Sequence, residues 1–131
     1  MSNLPHSIHH VNFPTTDPER TKEWYQRVFS MKWVDPKSNT EVLLMTRGSF
    51  DLHFTPIPAE EMQRMMPSHF AIEVEDWDGF LAHLREIGVR HTQPMERPQN
   101  NSKLCYITDP DGTVVELTYH GKLHSETSTK V

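Results

Sequence analysis

The sequence predicts an α+β fold built from two βαβββ units, which together form an incomplete eight-stranded mixed barrel within one domain covering residues 1–131. Three observations carry this expectation. Residues 10–17 (HVNFPTTD) align with residues 69–76 (HFAIEVED): both begin with His, place apolar residues second and fourth, and reach Asp at the eighth position. Such alternation is a strand signal, and internal repetition at this spacing implies a repeated structural unit. Each copy then runs into a helical stripe, and each stripe is followed by three strand-like pieces.

The elements follow in order. Asp17 has the chemistry of a helix N-cap, and Pro18 suits the first helical turn. The first helix is expected over Pro18–Phe29, with Trp24, Tyr25, Val28 and Phe29 on one face. Strands are expected at 32–34, 41–46 and 50–55, with Arg47-Gly48 as a turn. Residues 56–67 read as a linker containing a helical turn, which separates units at about 8–55 and 68–120. The second helix is expected over Trp77–Ile87, with Trp77, Phe80, Leu81 and Leu84 as its stripe and Gly88 just past its end. Strands at 89–92, 104–108 and 114–119 complete the second unit, with Asp109-Pro110-Asp111-Gly112 turning between the last two. Residues 121–131 form a polar tail.

Composition narrows the function classes. Hydrophobic residues make up 35% and charged residues 24%, enough apolar material for a core. A net charge of −5 argues against a nucleic-acid-binding surface and suits a small-molecule site. Cys105 is the single cysteine, so no intramolecular disulfide forms. No apolar run approaches the roughly 20 residues of a membrane span. The N-terminal stretch lacks the basic and apolar regions of a signal peptide. A cytoplasmic protein with neither a membrane nor a nucleic-acid partner is expected.

Strand parity then sorts side chains between the helix-covered face and a concave face. Val11 and Phe13 go to the helix side, leaving His10 and Asn12 on the concave side. Phe70, Ile72 and Val74 likewise leave His69, Ala71 and Glu73. Leu52 and Phe54 leave Asp51 and His53, and Val115, Leu117 and Tyr119 leave Glu116. Imidazole nitrogens and a carboxylate oxygen are ligands for Fe, Mn, Zn, Ni or Co. His10, His69, Glu116 and either His53 or Asp51 are therefore offered as candidate metal ligands, around one divalent ion per site, and His10 and His69 occupy equivalent positions of the repeat. Glu73 is a candidate general base on the same face. His6, His9, His83 and His91 read as surface residues.

The stretches IHHVNFPTTDPERTKEWYQRVF, SHFAIEVEDWDGFLAHLREIGV and YITDPDGTVVEL resemble the vicinal oxygen chelate superfamily over about residues 8–120. That superfamily includes glyoxalase I, fosfomycin-resistance enzymes, extradiol dioxygenases and bleomycin-resistance proteins. The resemblance implies a glyoxalase/dioxygenase-like fold and a metal that chelates a small substrate through two neighbouring oxygens. It matches His10, His69 and Glu116 to the family's ligands, and sets His53 near a fourth ligand position, as a ligand or substrate contact. Tyr106, ten residues before Glu116, resembles the substrate-holding Tyr of the extradiol signature. The His that signature carries just before its Tyr is absent from residues 97–103, where Arg97 and Asn100 are instead candidates to hold an anionic substrate. Pro14 stands where glyoxalase I carries a glutathione-binding Arg. The expected function is thus a metal-dependent enzyme of glyoxalase/dioxygenase type, with a Tyr-DPDG-Glu stretch like that of the extradiol dioxygenases. The alternatives are a lyase or isomerase on a non-glutathione substrate, or a metal-free drug-binding protein. A homodimer is implied by the resemblance alone.

Overall fold

A computed structural model describes residues 8–62, 69–98 and 101–120. The chain divides into two compact units, Met1–Met65 and Met66–Val131. The N-terminal half of the expected linker is seen; its residues 63–67 and the tail 121–131 lie outside the described residues.

The first unit contains β1 (His10–Thr15), α1 (Pro18–Phe29), β2 (Lys32–Trp33), β3 (Leu43–Thr46) and β4 (Asp51–Pro56). Its sheet has the order β1-β4-β3-β2, with β1 parallel to β4 and the other pairs antiparallel. The helix begins where the sequence marks it. The Asp17 carboxylate accepts the Arg20 N–H at 3.1 Å, satisfying a donor that the first turn leaves without an intrahelical partner. It ends at Ser30, whose φ of 55° is left-handed; the Ser30 N–H reaches Gln26 O at 3.0 Å and the Met31 N–H reaches Tyr25 O at 3.3 Å. Tyr25, fully buried, packs its ring 4.7 Å from that of Phe54 on β4. The Thr15 and Thr21 hydroxyls share a buried hydrogen bond of 2.6 Å, which ties the end of β1 to α1. After β4 a single turn, α2 (Ala59–Met62), occupies the start of the linker.

The second unit repeats the plan with β5 (His69–Glu73), α3 (Trp77–Ile87), β6 (Met95–Arg97), β7 (Ser102–Thr108) and β8 (Val114–His120), in the order β5-β8-β7-β6. Asp76 caps α3 through the Gly79 N–H at 3.1 Å, and Gly88 closes the helix at φ 79°. The turn between β7 and β8 is built around Asp109. Its carboxylate accepts the N–H groups of Asp111 at 2.8 Å and Thr113 at 2.9 Å, while Gly112 takes φ 88°.

One strand expectation is corrected. Residues 89–92 do not form a strand; the first strand after α3 is Met95–Arg97. Thr92 touches β7 from both ends, its N–H on Tyr106 O at 3.0 Å and its hydroxyl accepting the Tyr106 N–H at 2.9 Å. The side chain thus takes the donor that a backbone carbonyl would take in a ladder. Pro94, with no N–H to give, delays regular pairing until Met95. Smaller differences affect other ends: β2 stops at Trp33, β3 starts at Leu43 and β4 runs on to Pro56.

Leu84 on α3 is fully buried, so Leu84→Ala is expected to cost about 2–5 kcal/mol in urea denaturation. Asp17→Ala, which removes only a cap, is expected to cost about 1 kcal/mol in the same measurement. Equal costs would contradict this division between core and cap.

Candidate metal centre

In the second unit the parallel pairing of β5 with β8 sets Ala71 opposite Glu116 and His69 opposite Val114. Register partners share a face, so His69, Ala71 and Glu116 lie together on the side away from the buried Val115 and Leu117. Ala71 is small enough to leave room above it, and His69 Nε2 stands 3.4 Å from Glu116 Oε1. On the other side of β8, β7 places Tyr106 opposite Glu116. The Tyr106 ring meets the His69 ring edge-on at 6.2 Å. An imidazole, a carboxylate and a phenol therefore share one patch of one sheet.

Glu73 lies further along the same face and is engaged. Its Oε2 accepts the His120 backbone N–H at 2.8 Å, and its Oε1 lies 2.6 Å from His120 Nδ1. The backbone ladder reaches Val74 N–H on Thr118 O at 2.8 Å before the chain turns into the α3 cap. The Glu73 side chain thus binds the end of β8 just as β5 leaves it. His120 is the last residue of β8. Its parity with Glu116 and Thr118 on β8 was the available signal for a place on this face.

In the first unit β1 and β4 pair with His10 opposite Asp51 and Asn12 opposite His53. β3 adds Leu44 opposite His53. Asn12–His53–Leu44 thus corresponds, register for register, to Ala71–Glu116–Tyr106 in the second unit. His53 occupies the place that Glu116 fills there, and His10 the place of His69. The His53 ring lies on the His10 ring at 3.7 Å and 18° between planes. Nearly parallel rings aim their in-plane lone pairs side by side, so as placed these two do not converge on one point. His9 Nδ1 is 3.0 Å from His10 Nδ1, with the rings edge-on at 5.2 Å. His9 is exposed, as expected, yet it touches a candidate ligand, a contact that sequence parity did not reveal. Asn12 Oδ1 accepts the Thr55 hydroxyl at 3.0 Å. Burial, and then the neighbouring His10 and His9, push His53 below its ordinary 6.5, with Asp51 opposing.

Arg97 sits at the end of β6 opposite Ser102, which places it on the Tyr106 face at the far side of the sheet. Asn100 lies outside the described residues. Cys105 faces the apolar side, and burial pushes its thiol up to about 11. Among the described residues no three His, Cys, Asp or Glu side chains already converge as a metal site. The His69–Glu116 pair nevertheless passes a test of fit. Two ligands about 2.0–2.2 Å from one ion, separated by tetrahedral to octahedral angles, stand roughly 3.0–3.5 Å apart.

Comparison with known proteins agrees with this arrangement of elements. Residues 7–117 match the family model described as the Glyoxalase/Bleomycin resistance protein/Dioxygenase superfamily. The trivalent organoarsenical cleaving enzyme of Bacillus sp. (strain MD1) is 30% identical over 131 residues, covering 92% of this chain and 77% of that one. The probable trivalent organoarsenical cleaving enzyme of Bacillus subtilis (strain 168) is 29% identical over 118 residues, covering 84% and 77%. Among solved structures, lactoylglutathione lyase from Agrobacterium tumefaciens superposes with a TM-score of 0.71 at 20% identity, covering 88% of this chain and 94% of that one.

In the metal-free protein the His53 ring is expected to titrate below 6.5 by NMR. Because the unfolded chain then binds the proton more readily than the folded one, stability falls as pH drops from 6.5 through the depressed value. A His53 titration at or above 6.5 contradicts the assigned burial and neighbours.

Proposed function

Because this chain belongs to the glyoxalase/bleomycin resistance protein/dioxygenase superfamily, we propose that it is a metal-dependent enzyme acting on a small substrate that presents two neighbouring oxygens. His69 and Glu116 are two of the proposed ligands, and His10, from the first unit of the same chain or of a second copy, is the third. The separation of 3.4 Å between His69 Nε2 and Glu116 Oε1 carries the reading. The donor set suits Fe(II), Mn, Zn, Ni or Co. When bound, the ion supplies Lewis-acid polarisation of the substrate oxygens.

The remaining chemistry belongs to the side chains. Tyr106, beside both His69 and Glu116, is placed to orient a substrate oxygen through its phenol. This favours the ring-cleaving, dioxygenase-type branch, for which catechols are the test substrates. Glu73 is held by His120, so its proposed work as a base is shared with that imidazole, which accepts or returns a proton at the edge of the same face. His53, at the register position of Glu116, is proposed as a fourth ligand or substrate contact after rotating off His10. Asn12, Arg97 and Asn100 are the further proposed substrate contacts.

The names of the two Bacillus relatives suggest a second reading, cleavage of a trivalent organoarsenical. Trivalent arsenic is a soft centre that prefers thiolate donors, and thiolate character requires an accessible thiol of low pKa. This chain has one cysteine, Cys105, and it is buried with its thiol pushed up to about 11. An oxygen-chelating substrate is therefore favoured over a thiol-held arsenical. A lyase or isomerase acting on such an oxygen substrate is separated from the dioxygenase by oxygen uptake.

Two measurements test the proposal. Protein loaded anaerobically with Fe(II) is expected to hold one ion per chain, and His69→Ala or Glu116→Ala to lose most of it. Full metal content in both variants would overturn the assignment. With catechol, the Fe(II) protein is expected to consume O₂, and Tyr106→Phe to retain metal but lose about 10²-fold or more in rate, the scale of one positioned catalytic group. Metal binding without O₂ uptake moves the reading to the lyase or isomerase branch.

A further inference from the structure

His9 and His10 meet in an unusual way. Consecutive residues of a strand point to opposite faces. β1 begins at His10, so His9 is outside the strand and its ring swings round to the edge of the His10 ring. The Nδ1–Nδ1 separation of 3.0 Å is a hydrogen-bond length. Between two ring nitrogens, one carries the proton and the other accepts it. The His10 ring is meanwhile covered on its face by His53 at 3.7 Å. The face contact is given up when His53 turns towards the ion, so the edge contact with His9 is the one left to set the rotation of the His10 imidazole.

We propose that His9 is a positioning residue for His10: it accepts the His10 Nδ1–H and so leaves His10 Nε2 as the nitrogen that binds the ion. This rests on the ligand role given to His10 above. A metal-bound imidazole is deprotonated at one nitrogen and ordinarily donates its other N–H to a carboxylate, a carbonyl or water, which orients the ring and raises its basicity. Here the acceptor is a second imidazole from the preceding residue. The reverse assignment, with His9 donating to His10 Nδ1, places the His10 proton on Nε2 and blocks metal binding there. Loading the metal therefore selects one of the two tautomer pairs. Substitution at position 9 is then expected to act on the ion through the orientation and tautomer of His10.

The test uses Zn²⁺ as probe and compares the intact parent with His9→Phe, His9→Asn and His10→Ala. Affinity is read by competition with a chromophoric chelator, and imidazole tautomers by ¹H–¹⁵N NMR. His9→Phe keeps a ring without an acceptor and is expected to weaken Zn²⁺ binding 10–100-fold, the scale of a lost outer partner. In the parent Zn²⁺ form the His10 proton is expected on Nδ1, and His9→Asn, which retains an acceptor, is expected to restore most of the affinity. Unchanged thermal unfolding of the variants shows that the loss is local. If His9→Phe binds Zn²⁺ as tightly as the parent while His10→Ala is weakened, the role of His9 falls and the ligand role of His10 stands. If His10→Ala also binds like the parent, both fall.

Discussion

Everything at the candidate site depends on one constraint, the parallel pairing of the first and last strands within each βαβββ unit. Parallel neighbours cannot be joined by a tight turn. The first strand must hand the chain to a helix, and two further strands must pass before the last returns beside it. The helix caps at Asp17 and Asp76 fix where that departure begins. Parallel pairing aligns residues from distant parts of the sequence, which is how His69 comes within 3.4 Å of Glu116. A slip of one residue would turn every polar donor towards the helix and every apolar residue outward. The buried Leu52, Phe54, Val115 and Leu117 oppose such a slip, so core packing is also what aims the candidate ligands.

Much of this was legible in the sequence. Both helices begin and end where cap chemistry and apolar stripes place them, because caps and stripes are local signals. Strand parity correctly sorted His10, Asn12, His53, His69, Glu73 and Glu116 onto polar faces. It failed over residues 89–92, where Thr92 substitutes its hydroxyl for a backbone partner and Pro94 postpones pairing, so apolar content there did not mean a ladder. Parity also says nothing of register. Only the pairing of strands shows that His53 stands where Glu116 stands in the other unit, or that Glu73 and His120 engage each other. The contact of His9 with His10 was hidden for a further reason: it depends on residue 9 lying outside the strand.

The relatives sharpen the reading by contrast as well as by likeness. The family and the order of elements are shared, but a shared fold does not carry a substrate with it. In this chain the one thiol faces the core, and the polar face offers imidazole, carboxylate and phenol. Selectivity among soft and hard partners is set by which side chains the strand alternation leaves uncovered, and here it leaves nitrogen and oxygen.

The two units differ in the charge carried at matching positions. The first places neutral imidazole at residue 53, where the second places carboxylate at residue 116. With Glu116 as its one anionic ligand, a divalent ion would keep a net positive charge instead of being neutralised. Such a centre attracts anions and stabilises an oxygen that has just lost its proton. A second carboxylate in the place of His53 would cancel that pull. The duplication thus lets the charge at one register position differ between the units while the strand pairing that presents it stays the same.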